Sequence, residues 1–226
     1  MKINVDKSVC FSLNEAEDRR ELLVKEFAKI NEDVGYILSD RAENPQKAVS
    51  ICHQEVVRDA KEKGLKRIMI FEDDMRFYDF KAKQIDQINV FLDQNQDWEL
   101  FYLGGLLGKI WRSGSRGIAR IRCAGTHSYI VHERAYDKIL SIDYENTTKA
   151  VDTIYKNMFR SYSPYPLMTR QEDDCLLPSY IERFRDQVVG KKRKPGKQEK
   201  KWRKNRKLEF WQYNFTQLHR AWGLKD

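Results

Sequence analysis

Three consecutive acids, Glu72-Asp73-Asp74, directly follow an unbroken apolar run, Ile68-Met69-Ile70-Phe71. The run reads as a buried strand, and ligands of open α/β sheets bind at the carboxyl ends of such strands. Neighbouring carboxylates repel one another, so three at one strand end cost electrostatic energy. A divalent cation removes that cost, and a nucleoside diphosphate is a ligand whose own charges require one. Donors that are all oxygen suit a hard ion, Mg²⁺ or Mn²⁺. Side chains alternate along extended backbone, which puts Glu72 and Asp74 on one side and Asp73 on the other. The plain alternative is an acidic turn that caps the next segment. The position of the triplet behind a strand favours the ligand-binding reading.

Elements able to hold such a site are legible upstream and downstream. Over the first 140 residues short apolar runs alternate with helical patterns, the mark of parallel strands joined by crossover helices. Val9–Leu13 is the first strand, followed by Asn14 as a helix N-cap with Glu17 completing a capping box. Leu23, Phe27 and Ile30 mark one face of that helix. Tyr36-Ile37-Leu38 is a second strand ending at Ser39-Asp40-Arg41. Asn44-Pro45 opens another helix with a buried stripe of Val49, Cys52, Val56 and Ala60, and Gly64 stops it. A helical stretch around Ile85–Phe91 leads to the strand Leu100–Leu103, which ends at Gly104-Gly105. Residues 106–117, rich in Gly, Lys, Arg and Ser, read as a flexible loop. Ile118–Ile121 and Tyr129–Val131 are further strands, with a short helix over Glu133–Leu140. After Asp152 the pattern is helical again, then irregular through Pro164 and Pro166.

Charge is unevenly spread. Of 42 Lys and Arg against 34 Asp and Glu, residues 191–207 hold eleven bases and one acid, Glu199. The rest of the chain, with 31 bases and 33 acids, carries a net −2. The basic run reads as a linker or arm. Beyond it Leu208, Trp211, Phe215, Leu218 and Trp222 step by three and four, an amphipathic helix expected to pack back on the domain through that face. The expected organisation is a domain over 1–189 and an arm plus helix over 190–226. No stretch approaches the ~20 apolar residues that cross a bilayer. The first residues lack a signal-peptide core. Cys10, Cys52, Cys123 and Cys175 show no paired spacing, so zinc and disulfides are not expected. These features together predict a cytoplasmic protein, for which the sequons at Asn146 and Asn214 have no meaning.

Several motifs in order resemble glycosyltransferase family 25, the lipopolysaccharide and collagen galactosyltransferase group. Phe11-Ser12-Leu13-Asn14 with Asp18-Arg19-Arg20 is similar to its N-terminal signature. His53 matches its Ser-His, with Cys52 in place of the serine. Ile70–Asp74 is similar to its acidic metal motif and Leu103-Gly104-Gly105 to its next strand end. Ala124–Val131 with Ala135 and Leu140 looks like its acceptor-side segment, and Val151-Asp152, Pro166 and Gln171 like its later markers. The likeness spans about residues 8–180 and has no counterpart for the basic arm or last helix. It implies a GT-A-type, Rossmann-like mixed sheet flanked by helices.

By this resemblance the donor is a nucleotide sugar, UDP-linked, and the acceptor a saccharide, either a glycan or lipid-linked. Asp74 would hold the metal, with Glu72 on the ribose or the metal's water shell and Asp73 sharing either task. Ser12, Leu13 and Asn14 would meet the nucleotide, Asp40 the uracil N3 proton, and Arg19 or Arg41 the phosphates or base. The family inverts the anomeric centre, which calls for a base to take the acceptor proton. Asp152 is the expected base and His127 the runner-up; an acid opening a helix is also favourable for its own sake.

Two other classes compete. A metal-dependent phosphotransferase or phosphatase also uses carboxylates at strand ends, but its usual Asp-x-Asp follows the first strand, where Ser12-Leu13-Asn14 stands. A nucleic-acid-binding module could use the arm with Trp202, though a net −2 elsewhere argues against it. The arm over 191–207 also suits peripheral contact with an anionic membrane.

Overall fold

Alternate residues of the central strand face two different helical layers. The computed structural model describes residues 2–172 and 197–215. In its strand β3 (Arg67–Glu72), Ile68 and Ile70 enter one apolar core and Met69 and Phe71 the other. That period of two is what a strand buried on both faces requires. One core is closed by Val57 and Ala60 of α2 (Pro45–Glu62), Ile139 of α4 (Tyr136–Leu140) and Tyr155 of α5 (Val151–Met158). The other is closed by Leu23 and Phe27 of α1 (Glu17–Ala28) and Ile88 and Phe91 of α3 (Ala82–Gln94).

The fold is therefore α/β, an eight-stranded mixed sheet between helices, of Rossmann-like layout. Its order is β2-β1-β3-β8-β5-β9-β7-β6, where β1 is Lys7–Leu13, β2 Gly35–Ser39, β5 Leu100–Tyr102, β6 Leu107–Arg112, β7 Ile118–Ala124, β8 Ser128–His132 and β9 Ser161–Pro164. β1 pairs in parallel with β2 and β3, matching Leu13 to Ser39 and Phe11 to Glu72. The carboxyl ends of these three strands thus lie along one edge. β8 runs antiparallel to β3 and begins at that same edge. A small two-stranded sheet, β4 (Met75–Phe77) with β10 (Thr169–Gln171), stands beside it.

Local signals explain several boundaries. The Asn44 side chain accepts from the Lys47 N–H and Pro45 occupies the first turn of α2. Gly64, at φ +65°, ends it, a conformation that glycine adopts without penalty. The buried face of α2 is Ser50, His53, Val56, Val57 and Ala60, so the stripe is turned from the expected one and His53 lies in the core.

Three further expectations are corrected. The N-cap of α1 is Ala16, with no side-chain cap bond, while Asn14 instead donates to Asp40. Residues 107–112 form β6 rather than a loop, because each has a cross-strand partner on β7. Lys197–Asn214 is a helix, α6, so the basic run from 197 onward is not a linker.

The expected apolar face of α6 does not pack on the domain. Glu209 and Gln212 are buried, whereas Leu208, Trp211 and Phe215 are exposed. The reason is the partner. α6 lies on the open edge of β6, where backbone groups need polar company. Gln212 accepts from the Ile110 N–H at 2.9 Å, Arg112 donates to the Tyr213 carbonyl, and Asn205 donates to the Leu106 carbonyl. Tyr213 stacks on Tyr165 at 3.8 Å. Leu218 and Trp222 lie outside the described residues.

Gly104 lies two residues past the end of β5, and a Cβ there would collide with the Thr169 carbonyl oxygen. Gly104→Ala is expected to destabilise the protein by about 1–3 kcal/mol, the usual cost of overpacking. Thermal unfolding of the two proteins measures this, and an unchanged midpoint would show that β10 yields freely.

Candidate functional site

The three acids take three different sets of partners. Glu72 ends β3 and accepts from the Thr126 hydroxyl at 2.7 Å, with the His53 Nε2 at 3.7 Å. Asp73 turns towards β1 and α1, where it accepts from the Ser12 hydroxyl at 2.8 Å and from Arg19 at 2.6 Å. Asp74 faces β10, with Gln171 donating to one carboxylate oxygen at 3.2 Å. Its other oxygen, Oδ1, is buried with no hydrogen-bond partner.

Electrostatics follow from these partners. Burial, then the charges of Glu72 and Asp73, push the Asp74 carboxyl up to about 8. Burial also works against Glu72, but His53 and Thr126 outweigh it and hold its carboxyl below the ordinary range. Asp73 and Arg19 form an ion pair whose side chains are only 11% and 16% exposed. These two charges answer each other at the end of β1.

Asp74 fits a cation on its own chemistry. It offers a hard oxygen that is orphaned in the protein and lies beside the carboxylates of Glu72 and Asp73. Among the described residues, no group of three or more His, Cys, Asp or Glu side chains forms a metal cage. The fit is to an ion held by one or two carboxylates and completed by ligand phosphates and water, as Mg²⁺ commonly is. Glu72 already engages Thr126 through Oε1, so Asp74 is the better placed of the two.

The donor-side residues line the edge set by β1 and β2. Ser12 and Leu13 end β1, and Asn14 donates to the exposed Asp40 at 2.8 Å. Arg41 pairs with Glu15 at the surface. Sequence reasoning gave no role to Arg20, yet its guanidinium donates to the Leu13 and Asn14 carbonyls at 2.5 and 3.0 Å and to Ser12 at 3.2 Å. It fixes the shape of the edge. Arg76 does the same for the acidic turn, donating to the carbonyls of Asp73 and Met75. Neither was distinguishable by type from an ordinary surface arginine, since their targets are backbone carbonyls reached only after folding.

Gly125, Thr126 and His127 bridge this edge to α5. Asp152, in the first turn of α5, accepts from the Gly125 N–H at 3.1 Å. Gly125 has φ +93°, a backbone state that aims its N–H in a way an ordinary residue resists. Thr126 then reaches Glu72, and the His127 carbonyl accepts from the Glu72 N–H at 3.0 Å. A second carboxylate is thereby tied to the acidic turn through three consecutive residues. His127 itself is wholly buried and sits 3.4 Å from the Thr169 hydroxyl. Burial, partly opposed by Glu72, lowers it to about 4, so it is neutral at ordinary pH. His53 is equally buried, held by the Tyr129 hydroxyl at 2.7 Å on Nδ1.

Comparison with known proteins gives no sequence assignment. No protein-family model matches the chain, and no curated protein is significantly similar to it. Similar solved structures include A197 from STIV, at 11% identity and TM-score 0.45, covering 70% of this chain and 81% of that one. Another is a glycosyltransferase involved in glycosylation of the major capsid of PBCV-1, at 13% and 0.44, covering 82% and 100%. A third is mannose-1-phosphate geranyltransferase from Thermus thermophilus, at 9% and 0.43, covering 75% and 76%. At these identities and TM-scores the likenesses assign neither family nor activity.

Proposed function

We propose that this chain is an inverting, cation-dependent glycosyltransferase that moves a hexose from a nucleotide sugar, UDP-linked, to a saccharide hydroxyl. The observation that carries the reading is that the acidic turn is linked to a second, separate carboxylate on α5. Asp74 has a buried, unpartnered oxygen suited to a cation, and Asp152 is held apart from it on the Gly125–His127 bridge. The family-25 resemblance of the same segments supports the choice of substrate.

In this reading the carboxyl ends of β1 and β2 seat the nucleotide, with Asp40 available to the base and Arg20 keeping the carbonyls of Leu13 and Asn14 in place. Bound Mn²⁺ or Mg²⁺ would supply positive charge against the diphosphate. Asp74 would hold that ion, and Glu72 would orient the ribose side. Asp152 takes the proton of the acceptor hydroxyl as its oxygen bonds to the anomeric carbon. The bond from that carbon to the phosphate oxygen breaks, and its electron pair leaves with the nucleoside diphosphate. Inversion follows because attack and departure occur on opposite faces. The experiment that tests the reading follows nucleotide release from UDP-, GDP- and TDP-sugars with Mn²⁺. Release from none of them, with a range of saccharides supplied, would reject it.

A pH dependence comes with the site. A cation must displace the proton that Asp74 holds below about 8, so affinity should rise with pH to that point and level off above it. Mn²⁺ titrated calorimetrically into the protein with UDP is expected to bind on the order of tenfold more weakly at pH 6.5 than at pH 8.5. Equal affinity at both would remove Asp74 from the cation's ligands.

A further inference from the structure

Among the described residues, ten large hydrophobic side chains are exposed, and four of them fall within residues 208–215. Leu208 is 50% exposed, Phe210 55%, Trp211 60% and Phe215 43%. Such a cluster on one short stretch marks a contact surface rather than scatter. α6 is pinned to β6 by Asn205, Gln212 and Tyr213. At 3.6 residues per turn, Lys200, Lys204, Lys207, Trp211 and Phe215 project from the side away from Glu209, with Leu208 on the adjoining flank. The three lysines are exposed. The outer face is thus basic over its first half and aromatic over its second.

We propose that this face docks the protein on an anionic lipid bilayer, with the lysines against headgroups and Trp211, Phe215 and Leu208 in the interfacial layer. Charge selects the occupant. Within α6, residues 197–207 carry seven bases against one acid, a local +6, which favours an anionic surface and opposes a second copy of this chain, whose like charges would meet. Trp211 and Phe215 stack on each other, 5.0 Å apart and 22° from parallel. That self-stacked pair, next to an exposed leucine, suits an acyl boundary better than separate nucleobases. Stable peripheral attachment takes two signals, and the helix offers apolar and basic ones together. No described helix is long and apolar enough to cross a membrane. The other end of the helix points to the site. Trp202 meets Tyr78 at 4.9 Å, just beyond β4 and the acidic turn. Docking through α6 would hold the carboxyl edge of the sheet near the lipid, where a lipid-linked acceptor could reach it.

The test is co-sedimentation of the full chain with phosphatidylcholine vesicles, with and without phosphatidylserine. Attachment should need the anionic lipid and fall with salt. Lys204→Gln/Lys207→Gln should weaken it by roughly fivefold per lysine removed. Trp211→Ser/Phe215→Ser should weaken it about tenfold or more, through lost interfacial burial. Both variants touch solvent-facing side chains and should keep the melting point and nucleotide release of the parent, so failure here is separable from failure of the proposed activity. Attachment unaffected by both variants would overturn the proposal. So would a dimer that the serine variant converts to monomer, since a second copy would then cover the face.

Discussion

Asp152→Asn is expected to slow glycosyl transfer by about 10²–10⁴, the usual contribution of an acid–base group, while leaving donor affinity nearly intact. The separation follows from the chemistry. Ground-state binding of the nucleotide sugar does not use the base, whereas the transition state does. Asparagine is the right replacement here because its carbonyl can still accept from the Gly125 N–H, the bond that Asp152 makes at 3.1 Å. The Gly125–His127 bridge and its tie to Glu72 should therefore survive. Transfer rate and donor affinity must be measured on the same sample. A fall of less than about tenfold, against the acid–base range above, would leave Asp152 as a tether of the bridge and not the base. His127 would be an awkward replacement. It is wholly buried, so an acceptor hydroxyl would have to displace the surrounding loop to meet it.

Asp74→Asn should behave in the opposite way, abolishing cation-dependent donor binding without unfolding the protein. Loss of an outer-shell partner commonly costs metal sites 10–100-fold, so loss of a direct ligand should cost at least about that. Stability provides the control, and its sign is informative. In the cation-free protein, Asp74 holds its proton up to about 8, whereas an ordinary aspartate loses it near 3.8. Between those values the folded state binds more protons than the unfolded one, so this group makes stability fall as pH rises. The asparagine variant lacks that penalty. Its melting point should exceed the parent's above pH 8, with the gap closing towards pH 4. Donor binding that persists in the variant and in the presence of chelator would rule out Asp74 as a cation ligand. A variant that melts lower at high pH would show instead that Gln171 and the β4–β10 pair depend on the charge.

Much of the fold was written in local pattern. Ile68–Phe71 was apolar on both alternations because both faces of β3 are buried, and that alone placed the acidic triplet at a sheet edge. Asn44, Pro45 and Gly64 bounded α2 because caps and positive φ are properties of single residues. Charge along 191–207 was equally plain, being a matter of composition. What could not be read locally was which partner each group would meet. Residues 107–112 look like a loop until β7 lies beside them, since strand character depends on the neighbouring strand more than on the residues themselves. The stripe Leu208, Trp211 and Phe215 suggested a buried helix face, but the surface that received α6 was an open strand edge, and Gln212 and Asn205 satisfied it better than any apolar group could. The same holds at the site. The sequence by itself determined that carboxylates would crowd one strand end. Only the tertiary structure decided that Asp73 would be spent on Arg19 and Ser12, that Asp74 would keep an unpartnered oxygen, and that Gly125–His127 would join Asp152 to Glu72. Those outcomes rest on hydrogen bonds between residues 27 to 97 positions apart, a range over which no sequence period carries information.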